Sequence, residues 1–125
     1  MVDIPSELAG WWRIVETSGW DSKSLDVCGP ALLSLTGKGD RLRMFALLAY
    51  VNVRPAKTSA SFTWQGAWEY DQLSGSGTAR LRRDGRLSGR IQIKDGDGST
   101  FIAVRAEEPD EPIPHPPCYR DKWRR

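Results

Sequence analysis

The chain has 125 residues, a net charge of +2, 39% hydrophobic and 27% charged residues, which is the composition of one soluble globular domain. Its two cysteines, Cys28 and Cys118, and its one histidine, His115, form no metal-binding spacing, so no metal or cofactor is expected. The charge is too balanced to point to nucleic acid.

The opening "MVDIPSELAG" has no basic region followed by an apolar run, so no signal peptide is expected. The longest apolar run, Met44 to Val51, is too short to span a bilayer. The expectation is a cytoplasmic protein, in which pairing of Cys28 with Cys118 would need an oxidising setting.

One helical turn is expected over Asp3–Leu8, with Pro5 in its first turn, and another over Ser22–Val27. Otherwise short β-rich runs alternate with Gly, Asp and Ser, the pattern of an all-β sandwich or barrel. The runs are Gly10–Glu16, Ala31–Thr36, Arg41–Ala46, Leu47–Arg54, Ser59–Tyr70, Gly75–Arg83, Arg86–Lys94 and Thr100–Ala106.

In "SFTWQGAWEY", Phe62, Trp64, Gly66, Trp68 and Tyr70 share one face, an aromatic inner face opposite a polar one. In "GTARLRRDGRLSGRIQIK", a two-residue Asp84-Gly85 turn would mix apolar and charged faces. A three-residue loop, Arg83-Asp84-Gly85, keeps Leu81 opposite Leu87 and puts Gly85 at a left-handed position. "DGDGST", Asp95 to Thr100, departs from a calcium loop in its glycine and terminal acid, and reads as a tight turn. If Phe101 shares a face with Ile93, then Phe101, Ala103 and Arg105 point inward; the opposite phase stays open.

From Glu107 the chain holds five of the eight prolines. Proline fixes φ and removes a donor, so an extended or disordered tail, not a strand, is expected over 107–125 after a barrel domain at 1–106.

Gly10 and Trp12 make a G-x-W at the start of the first strand, and Arg105 falls near the end of the last. The combination resembles the signature of lipocalins and other calycin barrels. The resemblance implies that Trp12 closes one barrel end with Arg105 packed across it, as a cation–π pair would require. The stretch "LAGWWRIVETSGWDSKSLDVCGPA" is also similar to the opening of a widespread family of short bacterial proteins. That similarity is carried by Leu8, Gly10, Trp12, Ile14, Glu16, Trp20, Asp21, Asp26 and Pro30. Later matches include Phe62, Trp64, Gly66, Asp71, Gly75, Gly77, Gly85, Leu87, Gly89, Phe101, Ala103 and Arg105. Gln65 stands where that pattern has an acid, Trp68 and Tyr70 where it is more polar, and the proline-rich tail is an addition. The resemblance implies a fold and no particular activity.

Glu16 shares the parity of Trp12 and Ile14 and is expected to point inward. A buried carboxylate needs a partner, which Arg43, Arg54 or Tyr70 could supply, or it could do acid–base work with another acid. Asp21 and Asp26 flank a turn and suit capping; Asp71 is the remaining acid of interest. Arg80, Arg82, Arg86, Arg90 and Lys94 line the outside of the hairpin, with Arg83 at its tip. They form either a solvated, edge-protecting face or a surface for phosphates or an acidic protein. Trp123, in "YRDKWRR", is either a docking residue or part of an unstructured end.

The fold expected is a small antiparallel up-and-down β-barrel of about eight strands. Trp64 and Trp68 fill or line it, Trp11 points outward under the N-terminal turn or the tail, and Trp20 anchors a segment over one mouth. Two binding functions follow, and no enzyme is expected. The first is a carrier of a small apolar or aromatic ligand, with Ile14, Glu16, Phe62, Trp64, Trp68, Tyr70, Leu81, Ile91 and Phe101 as interior candidates. The second is an interaction module using the arginine face and the tail, as a monomer or a dimer. The first needs an empty, accessible interior; the second does not.

Overall fold

A computed structural model describes residues 3–69 and 71–116. Its strands are β1 (Gly10–Thr17), β2 (Leu32–Leu35), β3 (Asp40–Met44), β4 (Leu47–Pro55), β5 (Ser59–Trp68), β6 (Asp71–Leu81), β7 (Leu87–Ile93) and β8 (Gly98–Ala106). Each pairs antiparallel with the next, and β8 returns to β1, closing an up-and-down barrel. Closure leaves no unpaired sheet edge. The one helical element among the described residues is a 3₁₀ turn at Ser22–Ser24, so none is long and apolar enough to cross a membrane. Asp3–Leu8 yields a turn in which the amides of Leu8 and Ala9 both donate to the Pro5 carbonyl.

The alternation read from the sequence sets which side chains face inward. Phe62, Trp64, Ala79, Leu87, Ile91, Phe101 and Ala103 are buried, whereas Ser61, Thr63, Thr78, Arg80 and Arg90 are exposed. Leu81 pairs with Leu87, the Arg82 amide donates to the Arg86 carbonyl, and Gly85 has φ +86°. The three-residue hairpin loop is therefore present. Phe101 and Ala103 face inward, in phase with Arg105.

One expectation is corrected. Glu16 does not point inward. A bulge between Ile14 and Glu16 shifts the pairing with β8, so that Val15 and Glu16 are exposed and Thr17 takes the next inner place. A bulge inserts one residue and reverses the parity beyond it. The proline-rich segment forms no strand over 107–116, as its prolines require. It runs as an extended strap against the barrel wall, with Ile113 and Pro116 buried. Tail residues 117–125 lie outside the described residues.

Both ends of the barrel are closed. At one, Trp12 lies at 0% exposure, its indole N–H donates to the Leu8 carbonyl at 2.9 Å, and Leu8 is itself fully buried. The Arg105 guanidinium sits 4.0 Å from the Trp12 ring centre and donates to the carbonyls of Ala9 and Glu7, each at 2.6 Å. At the other end Phe45 stacks on Trp68 with ring centres 5.7 Å apart, and Trp20 meets both rings edge-on. Trp20 thus anchors the segment over this mouth. The Phe45 amide donates to the Leu25 carbonyl at 2.8 Å, tying the β3–β4 turn to the same segment.

Candidate functional site

Of the interior candidates, Ile14, Phe62, Trp64, Ile91 and Phe101 meet inside the barrel at 2% exposure or less. The interior is packed around their rings. A side chain at Gly75 would come within 2.6 Å of the Trp64 ring, one at Gly89 within 2.7 Å of Phe101, and one at Gly77 would overlap Phe62. Three aromatic rings thus rest on three glycines of β6 and β7, in space a Cβ would occupy. Trp68 and Leu81 are partly buried against the core, and Trp68 belongs to the mouth cluster. Glu16 is on the outside, and Tyr70 lies outside the described residues.

The acids weighed for chemistry have structural partners. Asp21 accepts from the Lys23 amide at 3.0 Å and caps the 3₁₀ turn. Asp26 accepts from the Ala31 amide at 2.8 Å and pairs with Arg13 at 2.6 Å. Arg43, a candidate partner for Glu16, instead donates to the Pro30 carbonyl. Asp40, which sequence reasoning passed over, is 2% exposed and accepts from Ser34 Oγ, Thr36 N, Thr36 Oγ1 and Gly37 N. A buried carboxylate with four donors is satisfied and fixes the β2–β3 turn. Its signal in the sequence is the short "TGKGD" turn.

The open space lies on the outer wall of β4–β7. A cleft of about 800 Å³ has Ser61, Thr63, Ser76 and Thr78 among its lining residues, with Asn52, Arg54, Arg90 and Gln92 around them. An adjoining hollow of about 630 Å³ shares Arg54, Ser61 and Thr78 and adds Arg80 and Ser88. The register explains the shape. Arg54, Ser61, Thr78, Arg90 and Thr100 stand opposite one another along one row across five strands. Short hydroxyl side chains make the floor, and long ones rise at its ends. Among the described residues of these four strands, the one exposed carboxylate is Asp71, at the start of β6 where it pairs with Trp68; the other exposed positions carry no Asp or Glu. Arg80, Arg82, Arg83, Arg86, Arg90 and Lys94 are all exposed. Only Arg82 among them has an ion-pair partner among the described residues, Asp84 at 3.4 Å. Arg54 joins this group and was missed as a partner-facing residue, because its place beside Arg90 depends on the β4–β5–β6–β7 register. Trp123 lies outside the described residues.

A second outer surface, on β1–β4, is covered by the strap. Arg41 donates to the Ile113 carbonyl at 3.2 Å, and the Tyr50 hydroxyl and His115 Nδ1 are 2.6 Å apart. The Arg41 guanidinium lies 4.7 Å from the centre of the Tyr50 ring. Trp11, facing outward on β1, borders the cleft beneath the strap.

The class defined by this geometry is a closed eight-stranded antiparallel barrel with a ring-packed interior and two distinct outer surfaces. In comparisons with protein-family models, curated proteins and solved structures, nothing matches the chain.

Proposed function

We propose that the protein is a non-enzymatic interaction module that binds an acidic protein surface along the outer wall of β4–β7. One observation carries this reading: the wall bears Arg54, Arg80 and Arg90 around hydroxyl-lined hollows that no carboxylate lines, the one exposed strand carboxylate among the described residues being Asp71 at the start of β6. Like charges gathered on one face raise the local potential far above what the net charge suggests, and so favour and steer a partner of opposite sign. Arginine forks and hydroxyls match carboxylates. Phe62 and Phe101 border the hollows but are 2% and 1% exposed, so they offer no open ring face on which a nucleic-acid base could stack.

The carrier reading, with a ligand inside the barrel, draws less support. Trp64, Phe62 and Phe101 sit on glycines where a ligand would need room, and both mouths are closed by side chains. The placement of Arg105 across Trp12 supports kinship with calycin barrels, but fold kinship does not transfer function. An enzymatic role is disfavoured by the structural engagement of Asp21, Asp26 and Asp40 and the exposure of Glu16.

The test is a titration with a glutamate-rich peptide at low ionic strength, beside a DNA duplex of equal charge. The expected result is a dissociation constant of about 10 μM or tighter for the peptide, weakened by salt and lost in the double variant R54E/R90E. Preference for the duplex, or peptide binding unchanged in that variant, overturns the proposal. Native mass spectrometry of the gently purified protein tests the carrier reading. An added mass of a few hundred daltons, about that of a pocket-filling ligand, would restore it.

A further inference from the structure

We propose that the outer wall of β1–β4 is a recognition groove for extended proline-rich peptides, which the chain's own strap occupies in cis. The inference is independent of the basic wall: the two surfaces meet along β4, but the groove's contacts are made by Trp11, Arg41 and Tyr50 and not by Arg54, Arg80 or Arg90.

The strap carries the spacing of its own recognition. Ile113 and Pro116 are buried while Pro112, Pro114 and His115 are exposed. A polyproline II helix repeats every three residues and presents positions three apart on one side. Proline supplies that conformation in advance, so little ordering entropy opposes binding.

The wall supplies the matching partners. Trp11 pairs with Ser34 and Arg41 with Tyr50 across adjacent strands, so a tryptophan, an arginine and a tyrosine all face outward along one side of the barrel. Arg41 reads a backbone carbonyl, that of Ile113, and Tyr50 meets His115. Aromatic rings flanking a donor to a peptide carbonyl are the usual means of reading a polyproline helix, because such a helix has no internal hydrogen bonds and leaves its carbonyls free.

The strap does not fill the groove. A cleft of about 450 Å³ remains along it, bordered by Trp11, Gly39 and Arg41 on the barrel side. The carboxylates of Glu107, Glu108, Asp110 and Glu111 have no ion-pair partner among the described residues, so nothing electrostatic clamps the acidic half of the strap down. The occupant in trans is therefore a partner segment of the form apolar-x-x-Pro in a proline-rich stretch, competing with 113–116.

The test uses the full chain and a synthetic peptide, Pro-Asp-Glu-Pro-Ile-Pro-His-Pro-Pro, copied from residues 109–117. In the variant Ile113→Asp the strap's anchor is lost and the groove opens. This variant is expected to bind the peptide roughly tenfold or more tightly than the wild-type chain does, because a tethered competitor acts at a high effective concentration. The indole N–H resonance of Trp11 should shift on titration. Adding Arg41→Ala to Ile113→Asp should abolish binding, and a peptide with Asp in place of its isoleucine should not bind. Ile113→Ser replaces Ile113→Asp if the charged variant fails to fold. No peptide binding by a folded strap-released variant, or binding that ignores Arg41, overturns the proposal.

Discussion

The Arg105 guanidinium lies over the Trp12 indole, 4.0 Å from its centre, and its two terminal nitrogens each reach a carbonyl of the N-terminal turn. One side chain of the last strand thus holds the ring that plugs the barrel and the segment that covers it. Arg105→Ala removes the ring contact and leaves two carbonyls without their donors. It should cost about 2 kcal/mol, read as a lower urea midpoint with an unchanged slope. Arg105→Lys keeps the charge but lacks the planar fork that reaches both carbonyls, and should recover less than half of the loss. An unchanged midpoint in Arg105→Ala would mean that Trp12 and Leu8 close this end without help.

Gly77 sits under Phe62, and a Cβ there would overlap the ring and come within 2.8 Å of the Arg90 carbonyl. Gly77→Ala should destabilise by about 2 kcal/mol through overpacking. Shortening the ring in Gly77→Ala/Phe62→Leu should restore part of that, so the two changes are non-additive. Strictly additive losses would show that the barrel relaxes around the methyl group and that the interior is looser than its burial implies.

The barrel was legible because its cues are local. Alternation in "SFTWQGAWEY" and in the hairpin around Asp84-Gly85 encodes both the inner face and the register, and Gly85 takes the left-handed φ that the loop needs. Glu16 was misread because parity assumes an unbroken strand. The bulge between Ile14 and Glu16 is set by the pairing with β8, about ninety residues away in sequence, and nothing in "WWRIVET" announces it. The docking of the strap was not legible for a related reason. Proline content correctly excludes a strand, but the docking of Ile113 depends on Arg41 and Tyr50, which only the closed barrel brings together. Likewise Arg54 reads as an isolated charge until three pairings place it in one row with Arg90.

The bulge makes a paired prediction about neighbours. Glu16 is exposed, so Glu16→Gln and Glu16→Ala should each stay within roughly 0.5 kcal/mol of the wild type. Thr17 is 8% exposed and its hydroxyl donates to the Trp20 carbonyl at 2.7 Å. Thr17→Val keeps the shape and strands that carbonyl, and should cost about 1 kcal/mol. It should also alter the tryptophan emission, since Trp20 is held at the mouth by this contact. If Glu16 proves the more sensitive of the two, the chain follows the unbulged parity.

Phe45 opens the two-residue turn between β3 and β4 with φ +53°, a left-handed conformation that glycine adopts freely and phenylalanine rarely does. It is held there by the Trp68 ring it stacks on, by Trp20 edge-on, and by the Leu25 carbonyl that its amide meets. Packing therefore outweighs a backbone cost of about 1 kcal/mol. Phe45→Ala loses the ring and keeps the strain, and should destabilise by about 3 kcal/mol. Phe45→Gly loses the same ring but relieves the strain. It should be more stable than Phe45→Ala by about 1 kcal/mol, the reverse of the usual order in a strand or helix. Urea unfolding of the two variants side by side decides this: a glycine variant weaker than the alanine one would show that this turn stores no strain for the aromatic cluster to offset.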